Sequence, residues 1–355
     1  MTDTAPEHHL ASGAGSTTWQ MPAEWAPHER CLMAWPTRES LWGPYFEAAK
    51  AEYAETANAI GAFEPVLMVT NPGQAGEVRA ACSGAVEVVE LAIDDSWIRD
   101  SGPLVVLDRA GRRSAVDFGF NSWGERFLPY DQDATIGRRV LEVLGIERIP
   151  SEMILEGGAI TVDGEGTLIT TEQCLLNANR NPAMSRDDIE TELKGRLGVS
   201  KVIWLPYGQY DDAHTDGHVD GVCTYVRPGV VIAQTCDDPA LPDHERMAAN
   251  VKVLRESRDA AGRPLEILEL PELPVTTLPD GTTTMVAYAN FYLANGGVVL
   301  PIAGHELDEP ALATLRQAFP DREVVGVPGN IVAHGGGGVH CITQQIPRPN
   351  SAAAG

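Results

Sequence analysis

What most limits the fold of this chain is an alternation that runs through nearly all of it. Short apolar runs rich in β-branched residues are followed by turn residues, a second such run, and then a stretch with apolar residues at helical spacing. Strand pairs are expected at Leu104–Leu107 with Ser114–Val116, at Ala159–Val162 with Thr167–Thr170, and at Val219–Val226 with Val230–Gln234. Further strands are expected at Cys31–Trp35, Val66–Val69 and Val86–Leu91, and helices at Trp42–Phe63, Asp133–Leu144, Ser185–Leu197, His244–Ser257 and Pro310–Phe319. Ser185 suits an N-cap, with Asp187, Asp188 and Glu190 placed to complement the helix dipole. The fold class is therefore α/β.

Polar, glycine-containing clusters recur beside the strands: Arg99–Pro103, Glu156–Ala159, Asp216–Gly221, Asn295–Gly297 and Gly335–Cys341. Their spacing, roughly sixty residues, is longer than the common solenoid periods and suits strand-strand-helix-strand units set around an axis, each bringing one polar cluster to the centre. Loops of a doubly wound sheet would give the same spacing. A chain of 355 residues leaves both one large repeated-unit domain and two ordinary ones open. Residues 1–18 read as a disordered lead-in and 348–355 as a disordered tail, leaving 19–347 for folded structure.

Charge excludes several functions. Asp and Glu number 50 against 26 Lys and Arg, a formal charge of −24, which is the wrong sign for neutralising nucleic-acid phosphates. It could steer a small cation inward. No apolar run approaches a membrane span, and the start of the chain lacks the basic and apolar regions of an export signal, so a cytoplasmic location is expected. The six cysteines are scattered, with no Cys-x-x-Cys and no zinc-type histidine spacing, which argues against a structural metal or a disulfide framework. There is no Gly-x-x-x-x-Gly-Lys-Ser/Thr phosphate loop and no Gly-x-Ser-x-Gly elbow.

The remaining residues suggest chemistry. Gly335-Gly336-Gly337-Gly338 lets the backbone turn tightly or approach a ligand just before Cys341, which is either a nucleophile at a pocket rim or an inert buried thiol. In an extended strand His218 and Asp220 would share a face, and a carboxylate beside an imidazole orients the ring for acid–base work. By the same parity His340 faces away from Cys341 and reads as a framework histidine. Asp94, Asp95, Asp100, Glu156 and Asp220 lack obvious basic partners, so a bound cation is expected. A hard metal would leave the thiol and imidazole unexplained, whereas a guanidinium accepts bidentate carboxylates and offers a carbon for thiolate attack. Trp97, near Asp100, offers a ring face to an organic cation.

Taken together, the chain resembles the agmatine deiminases of the Porphyromonas-type peptidylarginine deiminase family, in the guanidine-modifying superfamily. The resemblance runs from about Met21 to Pro347. It rests on Met21-Pro-Ala-Glu-Trp, Asp94-Asp-Ser-Trp-Ile-Arg-Asp-Ser-Gly-Pro, Phe118-Gly-Phe-Asn-Ser-Trp-Gly, Glu156-Gly-Gly, Leu175-Leu-Asn-Ala-Asn-Arg-Asn-Pro, Gly217-His-Val-Asp, Ala289-Asn-Phe-Tyr and Gly336-Gly-Gly-Val-His-Cys-Ile-Thr-Gln-Gln. It implies a single-domain five-bladed α/β propeller of ββαβ modules with pseudo-five-fold symmetry. It also implies hydrolysis of agmatine to N-carbamoylputrescine and ammonia with neither metal nor organic cofactor. In that reading Cys341 is the nucleophile, His218 the acid–base residue, and Asp100 and Asp220 the guanidinium carboxylates, while Trp97 and Glu156 line or support the site. The chain departs from the family pattern at His214, where an acid is frequent before the Gly-His motif, and at Gly338 and Asn330. His214 thus enters the expected substrate site and bears on which guanidine is preferred. The alternatives are a deiminase of another alkylguanidine, an amidinotransferase, and a non-catalytic polyamine binder. A homo-oligomer stays open.

Overall fold

A computed structural model describes residues 18–271 and 273–349. The expectations of disorder at the two ends fall largely outside these residues. Arg348, assigned above to the tail, is instead anchored: its N–H donates to the Pro27 carbonyl at 2.8 Å and its Nε to the His28 carbonyl at 2.7 Å.

One local topology appears in five sheets. Strand β1 (His28–Ala34) lies parallel to β2 (Val66–Thr70), which lies parallel to β3 (Val86–Glu90), with helix Phe46–Gly61 between the first two. Next, β4 (Leu104–Leu107) pairs antiparallel with β5 (Arg113–Gly119), and helix Ile136–Leu144 carries the chain to β6 (Glu147–Ile154), parallel to β5. The pattern repeats in β7 (Ile160–Val162), β8 (Thr167–Thr171), helix Arg186–Leu197 and β9 (Lys201–Leu205). It repeats again in β10 (Cys223–Arg227), β11 (Val230–Gln234), helix Asp243–Glu256 and β12 (Glu266–Leu270). A two-stranded excursion, β13 (Val275–Thr277) with β14 (Thr283–Met285), precedes the unit of β15 (Tyr292–Ala294), β16 (Gly297–Ile302), helix Asp308–Ala318 and β17 (Glu323–Pro328). The last strand, β18 (Thr343–Pro347), returns to pair antiparallel with β1, so the first sheet gains from the end of the chain the strand that the other four take from their own start. The sheets remain separate, and none of them closes on itself among the described residues.

Local chemistry explains the boundaries. Helix Arg186–Leu197 begins with a reciprocal capping box: the Ser185 hydroxyl accepts from the Asp188 N–H, and the Asp188 carboxylate accepts from the Ser185 N–H. It ends at Gly198, in the left-handed conformation. The single helix expected over Trp42–Phe63 is split into Glu39–Trp42, a 3-10 turn at Gly43–Tyr45 and Phe46–Gly61, because Pro44 has no N–H to give an α-helical interior. The helices bury their apolar stripes between their own sheet and a neighbouring one, as Ala311 and Leu315 cluster with Val298 and Leu300 and also with Ile232 and Leu270. Ile189, Leu193 and Leu197 meet Ile160, Val162 and Leu168, each such side chain gaining about 1.5–3 kcal/mol on full burial.

The segments that enter the first strand of each sheet are irregular and share a role. They are the short helix Ile98–Ser101 before β4, the 3-10 turn Gly157–Ala159 before β7, the 3-10 turn Val219–Gly221 before β10, the residues around Asn290 before β15, and the glycine run and turn before β18. The strand expected over Val219–Val226 therefore begins later, at Cys223. Asn295–Gly297, grouped above with the other polar clusters, belongs elsewhere: Asn295 accepts from the His28 N–H at 2.9 Å and is part of a buried structural network.

Candidate active site

Four of these segments bring together the acids and the thiol. Asp100, on the helix Ile98–Ser101, is buried, and its Oδ1 accepts from the Gly158 N–H at 3.0 Å while Oδ2 accepts from Trp123 Nε1 at 2.9 Å. Gly158 is the point of convergence. A Cβ added there would stand 2.6 Å from His218 Nδ1 and 2.8 Å from both Asp100 Oδ1 and Asp220 Oδ2, so only glycine lets the three groups surround one spot. His218 and Asp220 do reach the same place, but through the 3-10 turn between them and not by strand alternation.

Cys341 lies in a turn ahead of β18, with Sγ 3.5 Å from Asp220 Oδ2. Parity arguments do not apply to a turn, and His340 is placed accordingly. Its Nδ1 is 2.9 Å from Asp220 Oδ2 and its Nε2 is 2.9 Å from Glu24 Oε1, so this framework histidine directly positions the carboxylate beside the thiol. Arg99 secures the same turn, donating from its backbone N–H to the Cys341 carbonyl at 3.2 Å and from Nε to the His340 carbonyl at 3.2 Å. The glycine run is required by close packing, since a Cβ at Gly335, Gly336, Gly337 or Gly338 would strike Trp42, His214, Trp97 or Asn290 respectively.

His218 is buried, and neither ring nitrogen has a hydrogen-bond partner among the described residues. Its nearest carboxylate oxygens are Asp100 Oδ1, 3.8 Å from Nδ1, and Glu156 Oε2, 3.9 Å from Nε2. Glu156 is held from its other side by Arg180, whose Nε donates to Oε1 at 2.6 Å. Donor atoms of Glu156, Cys174 and His218 lie within 4.8 Å of one another, a set that could hold a soft divalent ion, although the Arg180 guanidinium already answers the Glu156 charge.

These surroundings set the proton affinities. Burial opposes charge on His218, but the charges of Asp100, Cys174 and Glu156 outweigh it, and the imidazole stays protonated well above its usual range. Burial pushes the Asp100 carboxyl up to about 6, with Asp220 and Glu156 adding to the rise and His218 opposing it. Asp220 is also buried, yet the hydrogen bond and charge of His340 hold it below the ordinary value. The Cys341 thiol is driven well up by burial and then by Asp220 and Asp100.

A tight pocket over Cys341 is walled by Trp97, Asp100, Trp123, Phe127 and His214, and Trp97 is itself stacked on Trp42 at 5.7 Å. A wider cavity of about 660 Å³ shares His214 and Cys341 with it and is edged by Asp211 and Asp212. The His214 ring packs edge-on to Phe127 at 5.6 Å, and burial keeps it neutral at lower pH than usual, with Asp212 opposing. Asn330 is not among the residues lining these cavities; it bonds Thr276 and the Ala303 carbonyl. Of the residues singled out from sequence, Cys341, His218, Asp100, Asp220, Trp97, Glu156 and His214 all meet here. Asp94 and Asp95 do not, being engaged with the Gln132 N–H and Arg38. Sequence reasoning missed Asn290, Trp123, Arg180 and Glu24 as parts of the site, although each lies inside a motif quoted above.

Comparison with known proteins agrees in extent and in kind. The family model described as Porphyromonas-type peptidyl-arginine deiminase matches residues 20–347. An agmatine deiminase of Pseudomonas aeruginosa is 43% identical over 357 residues, covering 94% of this chain and 97% of that protein. One from Stutzerimonas stutzeri is 42% identical over 363 residues, covering 96% and 98%. Among solved structures, the agmatine deiminase of Enterococcus faecalis superposes with a TM-score of 0.90 at 34% identity, covering 94% of this chain and 98% of that one. A Cys-to-Ser variant of the C. jejuni agmatine deiminase with substrate bound gives 0.86 at 26% identity, with coverage of 93% and 97%.

Proposed function

The chain belongs to the Porphyromonas-type peptidyl-arginine deiminase family, and from that premise we propose that it hydrolyses agmatine to N-carbamoylputrescine and ammonia. The observation that carries this reading is that the Cys341 thiol and the Asp100 and Asp220 carboxylates line the two adjoining cavities while the His218 imidazolium meets both carboxylates around Gly158. Asp100 and Asp220 grip the guanidinium, whose charge favours release of the Cys341 proton to water in the cavity. The thiolate adds to the guanidine carbon. His218 gives its proton to the departing nitrogen, the C–N bond breaks, ammonia leaves, and an S-alkylthiouronium remains on Cys341. Water then attacks that carbon and His218 accepts one of its protons; the C–S bond breaks to return the thiolate as the remaining hydroxyl proton passes to water, leaving the ureido product. Trp97 and His214 flank the alkyl chain, and Glu156, fixed by Arg180, supports the His218 ring.

The five units are, on this reading, the blades of a five-bladed α/β propeller with pseudo-five-fold symmetry formed by residues 19–347. Its support is the shared strand order, the pairing of β18 with β1, and the approach of the pre-strand segments to one site. The scattered cysteines, with no Cys-x-x-Cys spacing, suit a reducing compartment, and the cytoplasm is the proposed setting.

One observation favours a second reading, deimination of a different small alkylguanidine: the inner pocket presents neutral His214 and aromatic rings where an ammonium group would be expected to find a carboxylate. A single experiment tests both. Agmatine, arginine and 4-guanidinobutyrate are each incubated with the protein, and the products are read by mass spectrometry for replacement of the imino nitrogen by oxygen, alongside free ammonia. Agmatine should be converted without any amine acceptor, and Cys341→Ala should lower the rate by more than about a thousandfold. Conversion only when an amine acceptor is supplied would reassign the chain as an amidinotransferase. Tight polyamine binding with no turnover would make it a binder.

A further inference from the structure

Cys174 is a buried thiol that the proposed chemistry leaves unused. It lies on the short helix Glu172–Leu175 that follows β8, beside the two segments that deliver Glu156 and His218. Thr171 fixes this arrangement. Its hydroxyl accepts from the Cys174 N–H at 3.2 Å and donates to the carbonyl of Gly217, next to His218, at 2.5 Å. One donor atom from each of Glu156, Cys174 and His218 falls within 4.8 Å of the other two.

Two of the three residues present atoms with nothing to bond. Both ring nitrogens of His218 and Oε2 of Glu156 are buried and without a hydrogen-bond partner among the described residues. Their side chains are 2% and 0% exposed, and Nε2 stands 3.9 Å from Oε2. Unpaired polar atoms aimed at one another are costly to bury, and a ligand common to both would satisfy them. Glu156 is also oriented as a metal-binding carboxylate is: Arg180 donates to Oε1 at 2.6 Å and leaves Oε2 turned to the imidazole. That guanidinium does not close the site, because it also meets Asp216 at 2.7 Å, whose charge answers it.

The donor types select the cation. Thiolate, imidazole and carboxylate together suit zinc and its near neighbours, whereas magnesium or calcium would call for oxygen throughout. With the Cys174 and His218 protons released to water, the set carries two negative charges, one on sulfur and one on the carboxylate, matching a divalent ion. Neighbouring ligand atoms of a tetrahedral zinc site lie about 3.3–3.6 Å apart, so these side chains need to close by about an ångström.

We propose that Glu156, Cys174 and His218 form a binding site for a zinc-like divalent cation, one that does not use the Cys341 thiol, and that its occupation withdraws His218 from proton transfer and reversibly arrests turnover. The arrest rests on the reading of His218 as the acid–base residue; the site itself does not.

The test uses reduced protein in thiol-free buffer, with Zn²⁺ or Co²⁺ alone as the probe. Binding is measured by equilibrium dialysis and by the thiolate-to-cobalt charge-transfer absorption in wild type, Cys341→Ala, Cys174→Ala and Cys174→Ser, each also followed through a thermal melt. Wild type and Cys341→Ala should take up one equivalent and show the band. Both Cys174 variants should lose the band and bind more than about a hundredfold more weakly, a larger loss than outer-shell partners cause. Saturating Zn²⁺ should lower the wild-type kcat for agmatine by about a hundredfold, and a chelator should restore it. Cys174→Ser, measured against its own metal-free rate, should resist the same concentration. A band that persists without Cys174, or vanishes with Cys341, in a variant that melts like wild type overturns the proposal, as does wild-type protein that takes up no metal. Full uptake with kcat unchanged overturns the arrest. Should the alanine variant fail to fold, the serine variant decides by the same criteria, since it exchanges only the donor atom. Absence of turnover in metal-free wild type would instead remove the proposed function and leave the binding results to decide the site.

Discussion

Two buried polar clusters lie at opposite extremes of satisfaction. In the first, Glu64 is enclosed by His28, Tyr292 and Asn295: His28 Nδ1 is 3.1 Å from Oε1, the Tyr292 hydroxyl donates to Oε1 at 2.7 Å, and the Asn295 N–H donates to Oε2 at 2.7 Å. His28 Nε2 meets the Glu24 carbonyl at 2.9 Å, so both ring nitrogens are engaged. In the second, both nitrogens of His218 and Oε2 of Glu156 are buried with no hydrogen-bond partner among the described residues. Leaving a buried polar atom unpaired costs roughly 1–3 kcal/mol, and in the second cluster that cost is offset only by the attraction of the His218 imidazolium for Asp100 and Glu156. The difference separates scaffold from site more sharply than residue type does, since each cluster contains a histidine and a glutamate. His340 lies between the two cases, saturated by Asp220 and Glu24 yet in contact with a carboxylate that touches the Cys341 thiol.

The largest effect that could break this comparison comes from His218→Asn. Removal of the proposed acid–base group should lower kcat/KM for agmatine by about a hundredfold to ten-thousandfold. Because the unpaired ring nitrogens and the attraction of the imidazolium for Asp100 and Glu156 act in opposite directions, the melting temperature should change little. A large drop in melting temperature would show that His218 is part of the scaffold after all. Glu64→Ala should do the reverse. It strands three buried partners and should cost about 3–5 kcal/mol of unfolding free energy, read from urea midpoints. The folded fraction should keep its kcat, and a loss of turnover matching that of His218→Asn would erase the distinction.

Much of this was legible in the sequence, and the failures have physical causes. The strand pairs from Leu104 onward could be read because alternation and turn residues are local signals, and Ser185 marked its helix start by chemistry that spans a few residues. The Trp42–Phe63 reading failed at Pro44, where a missing N–H outweighed helical periodicity. His218 and Asp220 were paired correctly for a reason that does not hold, since the backbone between them is a 3-10 turn. His340 was set aside by a parity rule that requires extended backbone, and its partners Asp220 and Glu24 lie far away in the chain. Asn290 lies inside the quoted motif Ala289-Asn-Phe-Tyr, but nothing local to that motif indicates its partner. Its amide meets Cys341 only because the segments before β15 and β18 come together, which no window of sequence contains.

The smallest of these expected effects concerns pH and reaches into the site cluster alone. In the free protein burial, with Asp220 and Glu156, pushes the Asp100 carboxyl up to about 6, whereas Asp220 is held low by His340. Only one of the two carboxylates proposed to bind the guanidinium is thus poised to take up a proton in the mildly acidic range. Agmatine keeps its charge there, so the loss of Asp100 charge is what weakens the encounter. The ratio kcat/KM should fall about tenfold per unit below pH 6, because it reports the free enzyme. The kcat profile should bend at lower pH, since a bound guanidinium stabilises the carboxylate it touches. The same shift has a structural counterpart. A carboxyl whose folded value is raised favours the fold most below its unfolded value, and that contribution is lost as pH rises through about 6, so the ionised, functional form of Asp100 is the less stable one. Coincident acid limbs in kcat and kcat/KM, or no limb down to about pH 5, would detach Asp100 from substrate binding and return it to the scaffold side of the comparison.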